Sequence, residues 1–125
     1  MIWILMLMIL LLLAGCAAPE QDMPDYRQIS MEEAMKLMET EQGYIILDVR
    51  SQEEFDQGHI PGAILIPDTE INARAEEVLP DKDQLILVYC RSGRRSKLAA
   101  ADLAELGYTN IKEFGGIIDW PYEVE

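Results

Sequence analysis

The sequence predicts a single α/β domain in which a mainly parallel central sheet has helices on both faces. Two observations support this prediction. Continuous apolar runs at residues 44–49 and 85–89 are typical of parallel strands that are covered on both sides. These runs alternate along the chain with stretches that carry helix-capping residues and a helical spacing of apolar side chains. Such alternation favours parallel crossover units.

Two capping boxes mark helices in the first half of the domain. Residues 30–33 and 51–54 both have a serine followed three positions later by a glutamate, which is typical of a helix start. We expect Gly43 to end the first of these helices. Its core face would consist of Met31, Ala34, Met35 and Met38. A short strand at residues 63–66 and a helix at residues 67–79 follow.

The second half is predicted to contain a strand, a helix and a last strand. The strand at residues 85–89 leads to a helix at residues 96–106, which Gly107 would end in the left-handed conformation. Its core-facing residues would be Ala99, Leu103 and Leu106. A strand at residues 111–114 precedes a final turn, in which Trp120 is interpreted as a core aromatic.

The loop after the strand at residues 85–89 carries the candidate chemistry. It consists of Cys90, Arg91, Ser92, Gly93, Arg94 and Arg95. Ligands in open α/β sheets bind at the carboxyl ends of the strands, and a helix N-terminus favours an anion there. Three arginines add positive charge, and such surroundings lower the pKa of a thiol from ~8.5. The pattern therefore indicates a reactive sulfur, against the alternative of a small, inert, buried cysteine.

The distribution of charge points to an anionic ligand at this loop. The chain has a formal net charge of −13, which argues against binding to nucleic acid. Four of its ten basic residues nevertheless fall within residues 91–97. The loop is thus locally positive in an acidic protein.

The N-terminus predicts an exported, lipid-anchored protein. Residues 1–15 contain no charge and form an apolar run shorter than a membrane span, and Leu13-Ala14-Gly15-Cys16 resembles the lipobox of bacterial lipoproteins. That resemblance implies cleavage before Cys16 and attachment of diacylglycerol to its sulfur. No lysine or arginine precedes the run, so an uncleaved signal anchor is the alternative.

Three segments follow from this interpretation. Residues 1–15 are the lipoprotein signal peptide, residues 16–25 a lipid-anchored tether and residues 26–125 the folded domain. We expect the protein to be extracytoplasmic, attached to the bacterial cell membrane through lipid on Cys16, and a monomer. Lipidation would leave Cys90 as the one thiol beside a single histidine, which allows neither a disulfide nor a zinc site. We expect no metal and no cofactor.

Residues 26–125 resemble the single-domain rhodanese-like sulfurtransferases. Three stretches carry the resemblance, in the order and spacing of the family. The first joins residues 47–50 to Glu54-Phe55 and to the Gly-His-Ile-Pro-Gly-Ala sequence at 58–63. The second is the loop at residues 90–95. The third joins Gly107-Tyr108 to Phe114-Gly115-Gly116 and Trp120.

The resemblance implies that Cys90 accepts sulfane sulfur from a donor such as thiosulfate or a persulfide. Cys90 would pass that sulfur to a thiophilic acceptor and alternate between thiolate and persulfide. Backbone N–H groups from Arg91 to Arg95 would surround the terminal sulfur, while Arg91, Arg94 and Arg95 attract an anionic donor. A loop of six residues suits sulfur, whereas related phosphatases and arsenate reductases have a longer loop for a larger oxyanion.

The resemblance also assigns supporting residues and leaves two other functions open. Asp48 and Arg50 are expected to pair and to brace the loop beneath, and His59 is expected to be structural and not a base. One alternative is a non-catalytic rhodanese-like module that binds a partner or carries sulfur at the cell envelope. The other is a thiol redox sensor in which Cys90 is oxidised, although the domain offers no second cysteine to resolve it.

Overall fold

The structure, a computed structural model, describes residues 25–125. The predicted signal peptide, the acylated Cys16 and the tether up to residue 24 lie outside the described residues. Within residues 25–125, no helix is both long and apolar enough to cross a membrane.

Five parallel strands form one sheet. They are β1 (Arg27–Gln28), β2 (Ile45–Asp48), β3 (Ile64–Leu65), β4 (Ile86–Cys90) and β5 (Ile111–Gly116). Their spatial order is β1-β5-β4-β2-β3, with every neighbouring pair parallel. β4 lies at the centre and all five of its residues are buried. Cys90 is therefore delivered by the most protected strand of the sheet.

Helices cover both faces of this sheet, as predicted. They are α1 (Met31–Thr40), α2 (Gln52–Gln57), α3 (Ile71–Val78) and α4 (Arg94–Glu105), with short 3-10 turns at Asp68–Glu70 and Ile117–Asp119. Ala75 of α3 and Leu103 of α4 are fully buried in one hydrophobic cluster. Ala34 of α1 is fully buried in the cluster on the other face, which Trp120 joins. The sheet thus has a core on each side.

Both capping boxes form, and they set the starts of α1 and α2. The Ser30 hydroxyl oxygen accepts the N–H of Glu33 at 3.0 Å, and the Ser51 oxygen accepts that of Glu54 at 3.2 Å. The expected end of α1 at Gly43 was wrong. α1 ends at Thr40, because Glu41 leaves the helical conformation and closes the last turn with its own N–H.

Three other boundaries differ from the sequence prediction for local reasons. α4 begins at Arg94 and not at residue 96, because Gly93 adopts a left-handed conformation (φ 106°) just before the helix. The segment predicted as a helix at residues 67–79 divides into a 3-10 turn and α3. β5 extends through the two glycines to Gly116. β1 was missed, since two exposed residues give no periodicity.

Candidate active site

The Cys90 sulfur lies at the base of a cradle between β4 and α4. Cys90 is 1% exposed, and its Sγ accepts the backbone N–H of Gly93 at 3.0 Å. The left-handed φ of Gly93 favours glycine, since side chains are disfavoured there. It turns the chain back over the sulfur within three residues. The loop geometry therefore provides a backbone N–H donor to sulfur, as an anion-binding loop would.

The far side of this loop is fixed by the end of β5. The backbone oxygen of Arg91 accepts the N–H of Ile118 at 3.2 Å. The Arg91 carbonyl also packs against Gly116 so closely that a Cβ at that position would overlap it. This carbonyl therefore faces the C-terminal segment.

The three arginines of the loop have different environments. Arg95 donates to both carboxylate oxygens of Glu54 on α2, at 2.7 and 2.9 Å. The hydrogen bond from Arg95 outweighs burial and lowers the pKa of Glu54 to about 2. The hydrogen bond to Glu54 raises the pKa of Arg95, and the charge of Glu54 adds to that effect. Arg91 and Arg94 are exposed, with no ion pair recorded for them within residues 25–125. Two of the three cations thus remain open to a ligand.

Two residues that the sequence analysis missed lie beside the sulfur. Cys90 Sγ is 3.3 Å from the hydroxyl oxygen of Ser96, and this hydroxyl donates to Oε2 of Glu113 at 2.5 Å. Ser96 is fully buried and Glu113 is 2% exposed. A signal for Glu113 was present, because strand alternation places it on the same side as Ile111, which is a core residue. A charged residue at a core-facing position of a strand is unusual and needs specific partners to stabilise it there.

Asp48 and Arg50 pair as expected, at 2.7 Å. The turn that they brace is the one at residues 58–60, where Arg50 donates to the Gly58 carbonyl at 2.7 Å. Tyr89 donates to Asp48 at 2.6 Å and accepts the N–H of Ile60 at 3.1 Å. Within the described chain, no recorded hydrogen bond joins the Asp48–Arg50 pair to residues 91–95.

Burial and pairing shift the pKa values of this cluster. Burial raises the pKa of Tyr89, and its hydrogen bond to Asp48 adds to the rise. Burial opposes the charge of Arg50, but the hydrogen bond and charge of Asp48 prevail and raise the Arg50 pKa. At neutral pH Tyr89 is therefore a neutral phenol and Arg50 a charged guanidinium, which suits a structural link.

His59 has structural contacts in this turn. Its ring stacks on Phe55 with 3.9 Å between centroids, and its Nδ1 lies 3.0 Å from the Phe55 carbonyl oxygen. Its backbone exchanges two hydrogen bonds with Glu125, each of 2.9 Å. None of these contacts involves Cys90. The geometry supports the expectation that His59 is not the base for the thiol.

No group of three or more metal-ligating side chains occurs in the part of the chain that the structure describes. The site instead combines a buried sulfur, a backbone N–H aimed at it and two exposed arginines. This arrangement can hold a small anion against a nucleophilic sulfur.

Comparison with known proteins identifies relatives that share this layout. The sequence matches the family of rhodanese-like domains over residues 30–121. The thiosulfate sulfurtransferase PspE of Escherichia coli is 42% identical over 73 residues, which cover 58% of this chain and 70% of that protein. A sulfurtransferase of Allochromatium vinosum is 39% identical over 88 residues, covering 70% of this chain and 79% of that protein.

Solved structures resemble the fold over nearly their whole length. A rhodanese from E. coli, solved with anions, has a TM-score of 0.62 and 38% identity, covering 66% of this chain and 96% of that one. A rhodanese-related protein from Thermoplasma volcanium has a TM-score of 0.69 and 31% identity, covering 80% of this chain and 98% of that one.

Proposed function

This chain belongs to the family of rhodanese-like domains, whose members include sulfurtransferases, and from that membership we propose that it is a sulfurtransferase of the thiosulfate type. It takes sulfane sulfur from a donor such as thiosulfate or a persulfide and passes it to a thiophilic acceptor. A persulfide on Cys90 is the covalent intermediate. The observation that carries this proposal is the Cys90 sulfur at the end of β4, with the Gly93 N–H 3.0 Å away.

The proposed reaction has two balanced steps. The Cys90 thiolate attacks the outer sulfur of thiosulfate, a new S–S bond forms, and sulfite leaves with the electrons of the old S–S bond. An acceptor thiolate then attacks the terminal sulfur of the persulfide and releases the Cys90 thiolate. Each step replaces one anion by another, so neither consumes a proton. A ping-pong scheme of this kind needs one nucleophile and no base.

The loop would supply electrostatic support for both steps. Backbone N–H groups of residues 91–95 are proposed to hold the terminal sulfur of the persulfide. Arg91 and Arg94, both exposed, would attract an anionic donor to the mouth of the cradle. The guanidinium of Arg95 is held by Glu54, which supports a second role for this residue. We propose that it fixes α2 against α4.

The test is to load the protein with sulfur and to weigh it. Incubation with thiosulfate should add the mass of one sulfur atom to the protein, and cyanide or a small thiol should remove it. Cys90→Ser should abolish both loading and transfer, because Cys90 is the proposed covalent carrier. Cys16→Ser, the same change at the other cysteine of the chain, serves as the matched control and should still load.

Two outcomes would contradict the proposal. Transfer at the wild-type rate by Cys90→Ser would show that sulfur does not pass through this residue. A wild-type protein that gains no sulfur from thiosulfate or from a persulfide would leave the binding module as the better description. Loading without turnover would instead favour a sulfur carrier.

A further inference from the structure

Cys90 and Glu113 both contact the hydroxyl group of Ser96. The Ser96 hydroxyl lies between them, 3.3 Å from Cys90 Sγ and 2.5 Å from Glu113 Oε2. A serine hydroxyl has a single hydrogen to donate, although it can accept more than one. The carbonyl oxygens of Gly93 and Gly115 lie 3.1 and 3.4 Å from the same hydroxyl. The carboxylate contact is the shortest and is charged, so we assign the Ser96 hydrogen to Glu113, and the Ser96 oxygen then accepts the S–H of Cys90. In this arrangement the thiol is a donor, and Ser96 has no hydrogen left for a thiolate.

Glu113 depends on this hydrogen bond because it has few other partners. The carboxylate is 2% exposed and its Oε2 also accepts the N–H of Gly115 at 2.8 Å. Within residues 25–125, no lysine, arginine or histidine forms an ion pair with Glu113. A buried charge without a cation is stabilised mainly by the hydrogen bonds it accepts. Ionised Glu113 therefore keeps the Ser96 hydrogen.

We propose that Glu113, acting through Ser96, restrains the ionisation of Cys90. While Glu113 is ionised, a Cys90 thiolate would face a second buried anion and a hydroxyl that points away from it. Loss of the Glu113 charge removes the second anion and weakens the acceptor that holds the Ser96 hydrogen, so a thiolate can compete for that hydrogen. Glu113 and Ser96 are positioning residues in this scheme, and the inference uses the proposed function only for its consequence in sulfur transfer.

The other charged groups near the sulfur either favour the Cys90 thiolate or are already paired. Arg91 in the loop and Arg94 on α4 are exposed cations that favour a thiolate. Arg95 is held by Glu54 on α2. α1 brings a methionine side chain, that of Met31, close to Gly115. Lys112 lies on the opposite face of β5 from Glu113 by strand alternation. Glu113 is therefore the carboxylate that the Ser96 hydroxyl connects to the sulfur.

The restraint predicts a change in the reactivity of Cys90 that a purely structural role of Glu113 would not produce. A thiolate reacts with iodoacetamide and a thiol does not, and the reagent is neutral, so loop charges do not attract or repel it. Glu113→Gln keeps the size of the side chain. Ser96 and Gly115 both donate to Oε2 of Glu113, so the amide oxygen of the variant takes that position and accepts from both. A neutral amide holds the Ser96 hydrogen less strongly than a carboxylate does, which leaves that hydrogen more available to the sulfur.

The experiment measures alkylation of the Cys90 peptide in the full-length protein between about pH 5 and 9, by mass spectrometry. Glu113→Gln should react about tenfold faster than wild type near pH 6.5, which equals a shift of about one pH unit in the profile. The two proteins should react at similar rates at the alkaline end. Glu105→Gln, the same change at the exposed end of α4, should follow the wild-type profile.

A second pair of variants tests whether Ser96 is the link. In a Ser96→Ala background, Glu113→Gln should accelerate alkylation less than threefold, because only the through-space charge effect remains. An unchanged or slower rate in Glu113→Gln would overturn the restraint. An equal acceleration with and without Ser96 would overturn its role as the link. If Glu113→Gln does not fold, Glu113→Asp, whose shorter carboxylate weakens the contact to Ser96, must still react faster than wild type.

These measurements do not depend on sulfur transfer. Failure of sulfur loading in the wild-type protein would contradict the proposed function and leave the alkylation result intact. Normal loading with identical alkylation profiles would contradict the restraint alone.

Discussion

At the scale of one residue, Gly116 controls the shape of the cradle around Cys90. It has an ordinary extended backbone (φ −131°), so its lack of a side chain is not needed for its conformation. It is needed for space, because a Cβ would overlap the carbonyl group of Arg91 and press on the Ser92 nitrogen. Neither obstacle is the flexible end of a side chain, so the loop itself must move.

We predict that Gly116→Ala displaces the loop around Cys90 and destabilises the fold. Overpacking against backbone should cost about 2 kcal/mol or more in the free energy of unfolding, measured by urea denaturation. Sulfur loading from thiosulfate should fall by at least about tenfold, because the Gly93 N–H no longer meets the sulfur.

Gly43→Ala is the matched control for this prediction. Gly43 has a left-handed φ of 72° with open space around its Cβ position, so alanine there adds strain of about 1 kcal/mol and no contact. It should lose stability and keep full loading. Normal loading by Gly116→Ala would show that the loop does not depend on the β5 glycine.

The sequence predicted the position of Cys90 in the fold better than the side chains that surround it. Cys90 could be found because strand, cysteine, glycine and arginines are adjacent in the chain. Ser96 and Glu113 are 17 residues apart, and only the pairing of β5 with β4 brings the carboxylate to the sulfur. Arg95 was grouped with the other arginines because its partner, Glu54, lies 41 residues away. Local sequence patterns do not contain such contacts between distant segments, so these partners were not predicted.

At the scale of elements, Glu54 links the start of α2 to the first turn of α4. Its side chain accepts the Ser51 N–H at 3.2 Å as part of the capping box and also holds Arg95. The pKa of Glu54 is lowered to about 2, chiefly by Arg95, from an ordinary value of 4.5. Folded Glu54 therefore releases its proton at lower pH than the unfolded chain does. Its contribution to stability is complete above about pH 4.5 and is lost as the pH falls towards about 2.

We predict that Glu54→Gln removes this acid-sensitive contribution. The variant should lose about 1 kcal/mol of unfolding free energy at pH 7, the scale of a partly exposed ion pair. The difference from wild type should shrink as the pH is lowered from about 4.5 to 2, because protonation then removes the same pair from the wild-type protein. Denaturation by urea at a series of pH values measures it.

Glu53→Gln is the control, since Glu53 is exposed in the same turn of α2. Its stability difference should stay within about 0.5 kcal/mol of wild type at pH 7. A Glu54→Gln protein with unchanged stability at neutral pH would show that α2 and α4 are held together by packing alone.

The elements that were predicted well are those with a capping signal of their own. The serine–glutamate pairs at residues 30–33 and 51–54 fixed the starts of α1 and α2 because the capping bonds are local. The start of α4 was placed two residues late, since Gly93 in a left-handed conformation supplies no side-chain cap. β1 escaped prediction because its pairing to β5 is its one source of order.

At the scale of the whole molecule, strand order explains why the sulfur is buried. β4 has a parallel neighbour on each side, so the carboxyl end of the central strand opens into the sheet's crevice. The chain has a net charge of −13, whereas residues 91–97 form a basic segment. The basic segment directs a small anion to the loop. The negative charge of the whole chain disfavours its approach to an anionic membrane surface. An attachment to the membrane would therefore have to come from lipid.

We expect that attachment at Cys16, which lies outside the described residues. The Leu-Ala-Gly-Cys sequence behind an uncharged apolar run predicts cleavage before Cys16 and acylation of the mature N-terminus. Each buried methylene of an acyl chain contributes about 0.8 kcal/mol, and two chains are enough for stable anchoring against the charge of the domain. Labelled palmitate should enter the protein in a bacterial host, and the protein should sediment with membranes.

The two cysteines allow a crossed test of this prediction. Cys16→Ser should lose the label and leave the membrane fraction, while its sulfur loading remains, because the Cys90 site is complete within residues 25–125. Cys90→Ser should keep the label and the membrane location but not load sulfur. A membrane-bound form that retains Met1 and takes up no palmitate would contradict cleavage and support an uncleaved signal anchor. Because each variant is the control for the other, anchoring and sulfur transfer can be assigned to separate residues in one set of measurements.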